Sequence, residues 1–125
     1  MKAISVTTSP VPSGAYSQAV VANGLLFVAG TGPYDPVTRT IVGTTIEEQT
    51  VRTVENIRAV LAAAGCGLAD IVNSTVYLAE LHRDWPAFDA TYRSLLTEPY
   101  PARVTTGAVL KDILVEIAVV AALPG

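Results

Sequence analysis

Ten residues near the end of the chain, ILVEIAVVAA (Ile113–Ala122), contain a single polar side chain, Glu116. A β-branched run of this length reads as a strand, and alternation sends successive side chains to opposite faces of a sheet. With both faces apolar, both must be covered. The run is too short to span a membrane, which takes about 20 residues. Helices can cover one face. A partner subunit is the natural cover for the other, so a closed oligomer with its sheets packed inward is expected. Composition agrees, since 50% of the 125 residues are hydrophobic and 15% are charged, against a usual charged share of about 25%.

The remaining punctuation supplies the other elements. ISVTT (Ile4–Thr8) alternates like a short strand, and Asn23-Gly24 separates two apolar runs as a two-residue hairpin turn does. A loop rich in proline and glycine, TGPYDPVTRTIVG, follows, with room for a short edge strand. Thr45 and Glu48 have the spacing of a capping box. Behind them Val51, Val54, Ile57, Leu61 and Ala64 recur at helical intervals up to Gly65, a C′ stop. DIVNSTVYLAEL reads as a strand. A second helix is expected from Asp84 as its cap, with Pro86 in its first turn and Trp85, Phe88, Tyr92 and Leu95 inward. ARVTTGAVL and DILVEIAVVAAL complete the order β-β-β-α-β-α-β-β. The fold class is α+β: one domain over residues 1–125, a mixed sheet with both helices on one face.

Charge narrows the function. The net charge of −3 and the absence of basic runs argue against nucleic acid and against a polybasic membrane contact. The N-terminus lacks the apolar core of a signal peptide, and the one cysteine, Cys66, suits a reducing compartment. A cytoplasmic protein is expected. Cys66 reads as an inert small hydrophobe. His82 reads as a surface loop residue, with no second histidine or cysteine near enough for a metal set. GTGP lacks the lysine and helix of a phosphate loop. No metal or cofactor is expected.

Against this background PYPARVTTG (Pro99–Gly107) stands out for its arginine. A guanidinium is a planar fork of donors matched to a carboxylate, and it stays protonated. Alternation places Arg103 and Thr105 on one face of the strand, with Val104 and Thr106 opposite. A threonine hydroxyl beside a clamped carboxylate can hold a substrate oxygen or a water. Arg103 is therefore expected to stand free for an anionic ligand. The structural alternative pairs it with Glu98, Asp112 or Glu116.

Five segments together, GAYSQAV, LFVAGTGP, TVENIRAVLAAAGCGLADIV, FDATY and YPARVTTG, resemble the RidA/YjgF family of reactive-intermediate deaminases. The resemblance implies a chorismate-mutase-like fold, a homotrimer and active sites between neighbouring subunits. It implies that Arg103 grips the carboxylate of a 2-enamino or 2-imino acid while water attacks the imine carbon, releasing ammonia and a 2-keto acid. It further implies that Tyr16 orients the ligand, that Gly30 and Thr31 line the pocket, and that Thr105 stands where cysteine is frequent. Three departures are evident. Ala118 occupies the place of a second glutamate in the last strand, leaving Glu116 one pleat away, about 6.6 Å along the strand. Ala29 replaces a serine, and Asp89 an asparagine. These departures keep two alternatives open: an aminomuconate-type deaminase, or a non-catalytic binder of small carboxylates.

Overall fold

The computed structural model describes residues 1–125. Strands β1 (Lys2–Ile4), β2 (Ala19–Ala22) and β3 (Leu25–Thr31) precede helix α1 (Ile46–Ala63). A 3-10 turn at Leu68–Asp70 leads into β4 (Ile71–Leu78), then α2 (Leu81–Leu95), β5 (Ala102–Gly107) and β6 (Val115–Ala122). The expected order of elements is present. The six strands form one sheet in the order β1-β2-β3-β6-β4-β5, antiparallel throughout except for β4 beside β5, which the α2 crossover makes parallel. The apolar last strand lies between β3 and β4.

Local signals explain most boundaries. Asn23 and Gly24 adopt φ of 52° and 74°, both positive as a tight hairpin turn requires, and Ala22 pairs with Leu25 across them. At α1 the Thr45 hydroxyl accepts from the Glu48 N–H, and the Glu48 carboxylate accepts from the Thr45 N–H, each at 3.2 Å. Gly65, at φ 77°, ends the helix: its N–H reaches the Ala62 carbonyl and that of Cys66 the Leu61 carbonyl.

Three expectations need correction. The first strand ends at Ile4 instead of continuing to Thr8. Beyond it the Gln18 carboxamide replaces a neighbouring strand, accepting from the Val6 N–H and donating to the carbonyls of Val6, Ser9 and Pro10. Helix α2 starts three residues before Asp84, so His82 lies on a helix and Pro86 in its second turn. The Asp84 N–H already donates to the Glu80 carbonyl at 2.9 Å, and its carboxylate takes both ends of the Arg83 guanidinium; a group so occupied does not cap. Val51 is exposed, and the inward stripe of α1 instead includes Gln49, Thr53 and Asn56.

The core lies between the helices and one face of the sheet. Val115, Ile117, Val119 and Ala121 of β6 are buried there, together with Val54, Ile57, Leu61, Val76 and Phe88. Cys66 belongs to this cluster, and burial pushes its thiol pKa up. The opposite face is less covered. Phe27 beside Val120, and Val104 in line with Thr75 and Ala118, present apolar surface there, with Phe27 exposed to 41% and Val104 to 59%.

Candidate functional site

The predicted site residues fall into two groups. On β5, Arg103 is in register with Ser74 and Thr105 with Val76. Both β4 partners are buried, which places Arg103 and Thr105 on the helix-covered face, as alternation predicts. The guanidinium carbon lies 4.7 Å from the ring centre of Tyr92, 5.5 Å from that of Phe88 and 5.9 Å from that of Trp85. These contacts hold a cation against aromatic surface. The Tyr92 hydroxyl hydrogen-bonds Ser74 at 2.9 Å, and burial raises its pKa.

Arg103 does not stand free. Its Nη2 donates to Asp89 Oδ1 at 2.9 Å, while Asp89 Oδ2 accepts from Arg93 at 3.2 Å. The structural partner is thus an acid on α2, and none of Glu98, Asp112 or Glu116. A signal for it existed: positions 85, 88, 89 and 92 share one face of a helix, so an acid at 89 meets the same strand as the aromatics. The bond from Arg103 holds the Asp89 carboxyl below the usual carboxylate range. Only this one bond engages the Arg103 side chain, of the five its N–H groups can make. Arg103, Asp89, Arg93, Tyr92, Tyr100 and Pro101 line a cavity of about 290 Å³. The Thr105 hydroxyl is buried without a partner.

The second group surrounds a cavity of about 660 Å³, where Tyr16, Gly30, Thr31, Tyr34, Asp112 and Glu116 are among the lining residues. Pairing of β3 with β6 shifts register between Val28 and Thr31, a bulge that brings Gly30 against Glu116. A Cβ at Gly30 would lie 2.7 Å from Glu116 Oε2. Asn56 of α1 fixes the segment beyond β3 by donating to the carbonyls of Gly32 and Tyr34, each at 2.9 Å. The Tyr16 hydroxyl accepts from the Ser13 N–H, and Thr31 donates to the Ala29 carbonyl. The Tyr34 phenol pKa is raised by burial first, then by the negative charges of Glu116 and Asp112.

Because the obstructing atom at Gly30 is the tip of a flexible side chain, Gly30→Ala is expected to fold and to move the Glu116 carboxylate. The thermal midpoint should change little. A large drop in the midpoint would show the glycine to be a folding requirement instead.

The two groups do not meet within one chain. Glu116 aligns with Tyr77, and Tyr77 with Thr106, which puts Glu116 on the less covered face, opposite Arg103. The strands that bear Gly30 and Arg103 are separated by β6 and β4. The cavities share no lining residue, and Thr105 lines neither. Sequence reasoning missed Asp89 as a partner of Arg103 and Tyr34 as a titratable neighbour of Glu116; of the α2 aromatics expected inward, Phe88 and Tyr92 are core residues, whereas Trp85 is exposed and lies over the Arg103 cation.

Residues 6–123 match the family model described as Endoribonuclease L-PSP. A RutC family protein of Saccharolobus solfataricus is 45% identical over 115 residues, covering 90% of each chain. The 2-iminobutanoate/2-iminopropanoate deaminase of Salmonella typhimurium is 33% identical over 125 residues, covering 96% of each. Among solved structures, RidA from Psychrobacter sp. superposes with a TM-score of 0.92 at 30% identity, over 98% of this chain and 100% of that one. TdcF of E. coli with bound serine does so with a TM-score of 0.90 at 27% identity, over 99% and 100%. Near-complete coverage in both directions, together with the shared fold, shows that the chain belongs to the RidA/YjgF family, the group matched by the Endoribonuclease L-PSP model.

Proposed function

We propose that the protein hydrolyses short 2-enamino and 2-imino acids to 2-keto acids and ammonia, in clefts that neighbouring copies complete in a homotrimer. The observation that carries this reading is Arg103 itself: a cation braced by three aromatic rings, lining a cavity, with most of its donor capacity unspent. A carboxylate is the matching ligand. The opposed placement of Glu116 and Arg103 supports a shared cleft, since one chain supplies the clamp and another the carboxylate. The apolar face around Phe27 and Val104 supports a covering partner. Two relatives bear on the ligand: the Salmonella protein is named a deaminase of 2-imino acids, and TdcF was crystallised with serine.

In this reading the substrate carboxylate lies on the free N–H groups of Arg103, whereas the Thr105 hydroxyl, buried behind the strand, supports the pocket without touching the ligand. Tyr16 orients it from the neighbouring copy, where Gly30 and Thr31 form the pocket wall. Glu116 takes a proton from water as its oxygen bonds to the iminium carbon. Glu116 returns that proton to the nitrogen, and the C–N bond breaks as the hydroxyl gives its own proton to Glu116 and becomes the C=O, so that ammonia leaves. Positioning supplies most of the rate, because imines hydrolyse readily once oriented beside water.

A second reading, a binder of small carboxylates without turnover, is favoured by Ala118, which brings no carboxylate to the middle of β6. Nuclease action, which the family model's name suggests, would need a basic groove that a chain of net charge −3 is poorly equipped to form. The test is release of ammonia and keto acid from an enamine generated in situ. Acceleration above the spontaneous rate is expected. Spontaneous release together with saturable binding of 2-ketobutyrate would favour the binder.

A further inference from the structure

We infer that Asp89 makes the Arg103 cavity selective for ligands that carry a cationic nitrogen next to their carboxylate, and disfavours plain keto acids. The inference rests on the proposed carboxylate clamp and adds a second recognition element to it. Arg93, Asp89 and Arg103 form a charge row in which one carboxylate bridges two guanidinium groups. The row leaves a single excess positive charge in the cavity, suited to one carboxylate. Neither member of the inner pair is saturated. A carboxylate has about four lone-pair positions, and Asp89 uses one on each oxygen. Both residues are partly accessible, with side chains 18% and 20% exposed, and both line the same cavity.

Unspent donors and unspent acceptor positions therefore lie on two adjoining side chains, joined by the 2.9 Å bond from Arg103 Nη2 to Asp89 Oδ1. A 2-iminium or 2-ammonium acid has the complementary pattern, an acceptor carboxylate on the carbon adjacent to a charged N–H donor. Its carboxylate binds the free edge of Arg103 while its nitrogen donates to Asp89. A keto acid offers Asp89 only a carbonyl oxygen, and two acceptors facing each other repel. Asp89 also favours the protonated imine, the form that water attacks. Hydrolysis replaces the cationic nitrogen with a neutral carbonyl, so the product loses its hold at Asp89 and is released.

Titration calorimetry of the full chain with L-2-aminobutyrate and 2-ketobutyrate, which share a carbon skeleton, tests this directly. In Asp89→Asn the amino acid should bind more weakly and the keto acid more tightly, shifting their affinity ratio by about tenfold or more. Asp89→Ser, which also removes the charge, should shift it in the same direction and serves if the asparagine variant folds poorly. A ratio unchanged within about twofold, or equal weakening of both ligands, overturns the role of Asp89 while leaving the clamp intact. Retention of both ligands by Arg103→Ala, or binding of neither by the parent protein, overturns the clamp itself.

Discussion

Arg103→Ala is expected to lower turnover of a 2-imino acid, and affinity for 2-ketobutyrate, by about a hundredfold or more. That is roughly 2.7 kcal/mol, within reach of two charge-assisted hydrogen bonds at about 1.5–3 kcal/mol each. The fold should survive, because Asp89 keeps its bond to Arg93 and Tyr92 keeps its bond to Ser74. Arg103→Lys separates charge from geometry. It preserves the cation but loses the planar fork that a carboxylate matches, so a loss of about tenfold is expected. Steady-state assay and titration of the same preparations provide the check, and turnover by Arg103→Ala equal to that of the parent would sink the site assignment.

Phe88→Ala is expected to cost about 3–5 kcal/mol of stability, the range for an aromatic deleted from a packed core. Phe88 is 0% exposed. Its ring lies 5.5 Å from that of Tyr92 and the same distance from the Arg103 guanidinium, so the cavity left behind opens directly beneath the cation. Structure and binding should therefore fail together here, whereas Arg103→Ala removes binding alone. Phe88→Leu keeps most of the volume and should cost less than about 1.5 kcal/mol. Urea unfolding at fixed protein concentration measures both, the concentration being held because subunit association shifts the apparent midpoint. A cost below about 1 kcal/mol for the alanine variant would show that α2 can close the gap by moving.

Legibility of the fold followed the range of the interactions that create it. The Asn23-Gly24 turn and the Thr45–Glu48 box close within a few residues, so neighbouring side chains reveal them. The start of α2 was hidden because Asp84 looks like a cap in isolation, and only its bond with Arg83 shows why it is not one. The early end of β1 was hidden for a similar reason, since Gln18 reaches back 12 residues to occupy Val6.

The candidate site divides in the same way. Arg103 and Thr105 share a face because strand pleating obliges it, and Glu116 stands out as the one polar residue in its strand. Their residue types announce their chemistry without coordinates. That Arg103 binds Asp89, and that Glu116 looks out from the opposite face, depended on which helix crosses behind β5 and which strands flank β6.

Residue types and their spacing alone determined the order of the elements, the need to cover both faces of the last strand and the arginine worth testing, because pleat, turn and cap are governed by near neighbours along the chain. The partner of that arginine, and its separation from the glutamate, were decided only when distant segments packed, since long-range contacts depend on the sum of many weak burials that no short stretch of sequence contains.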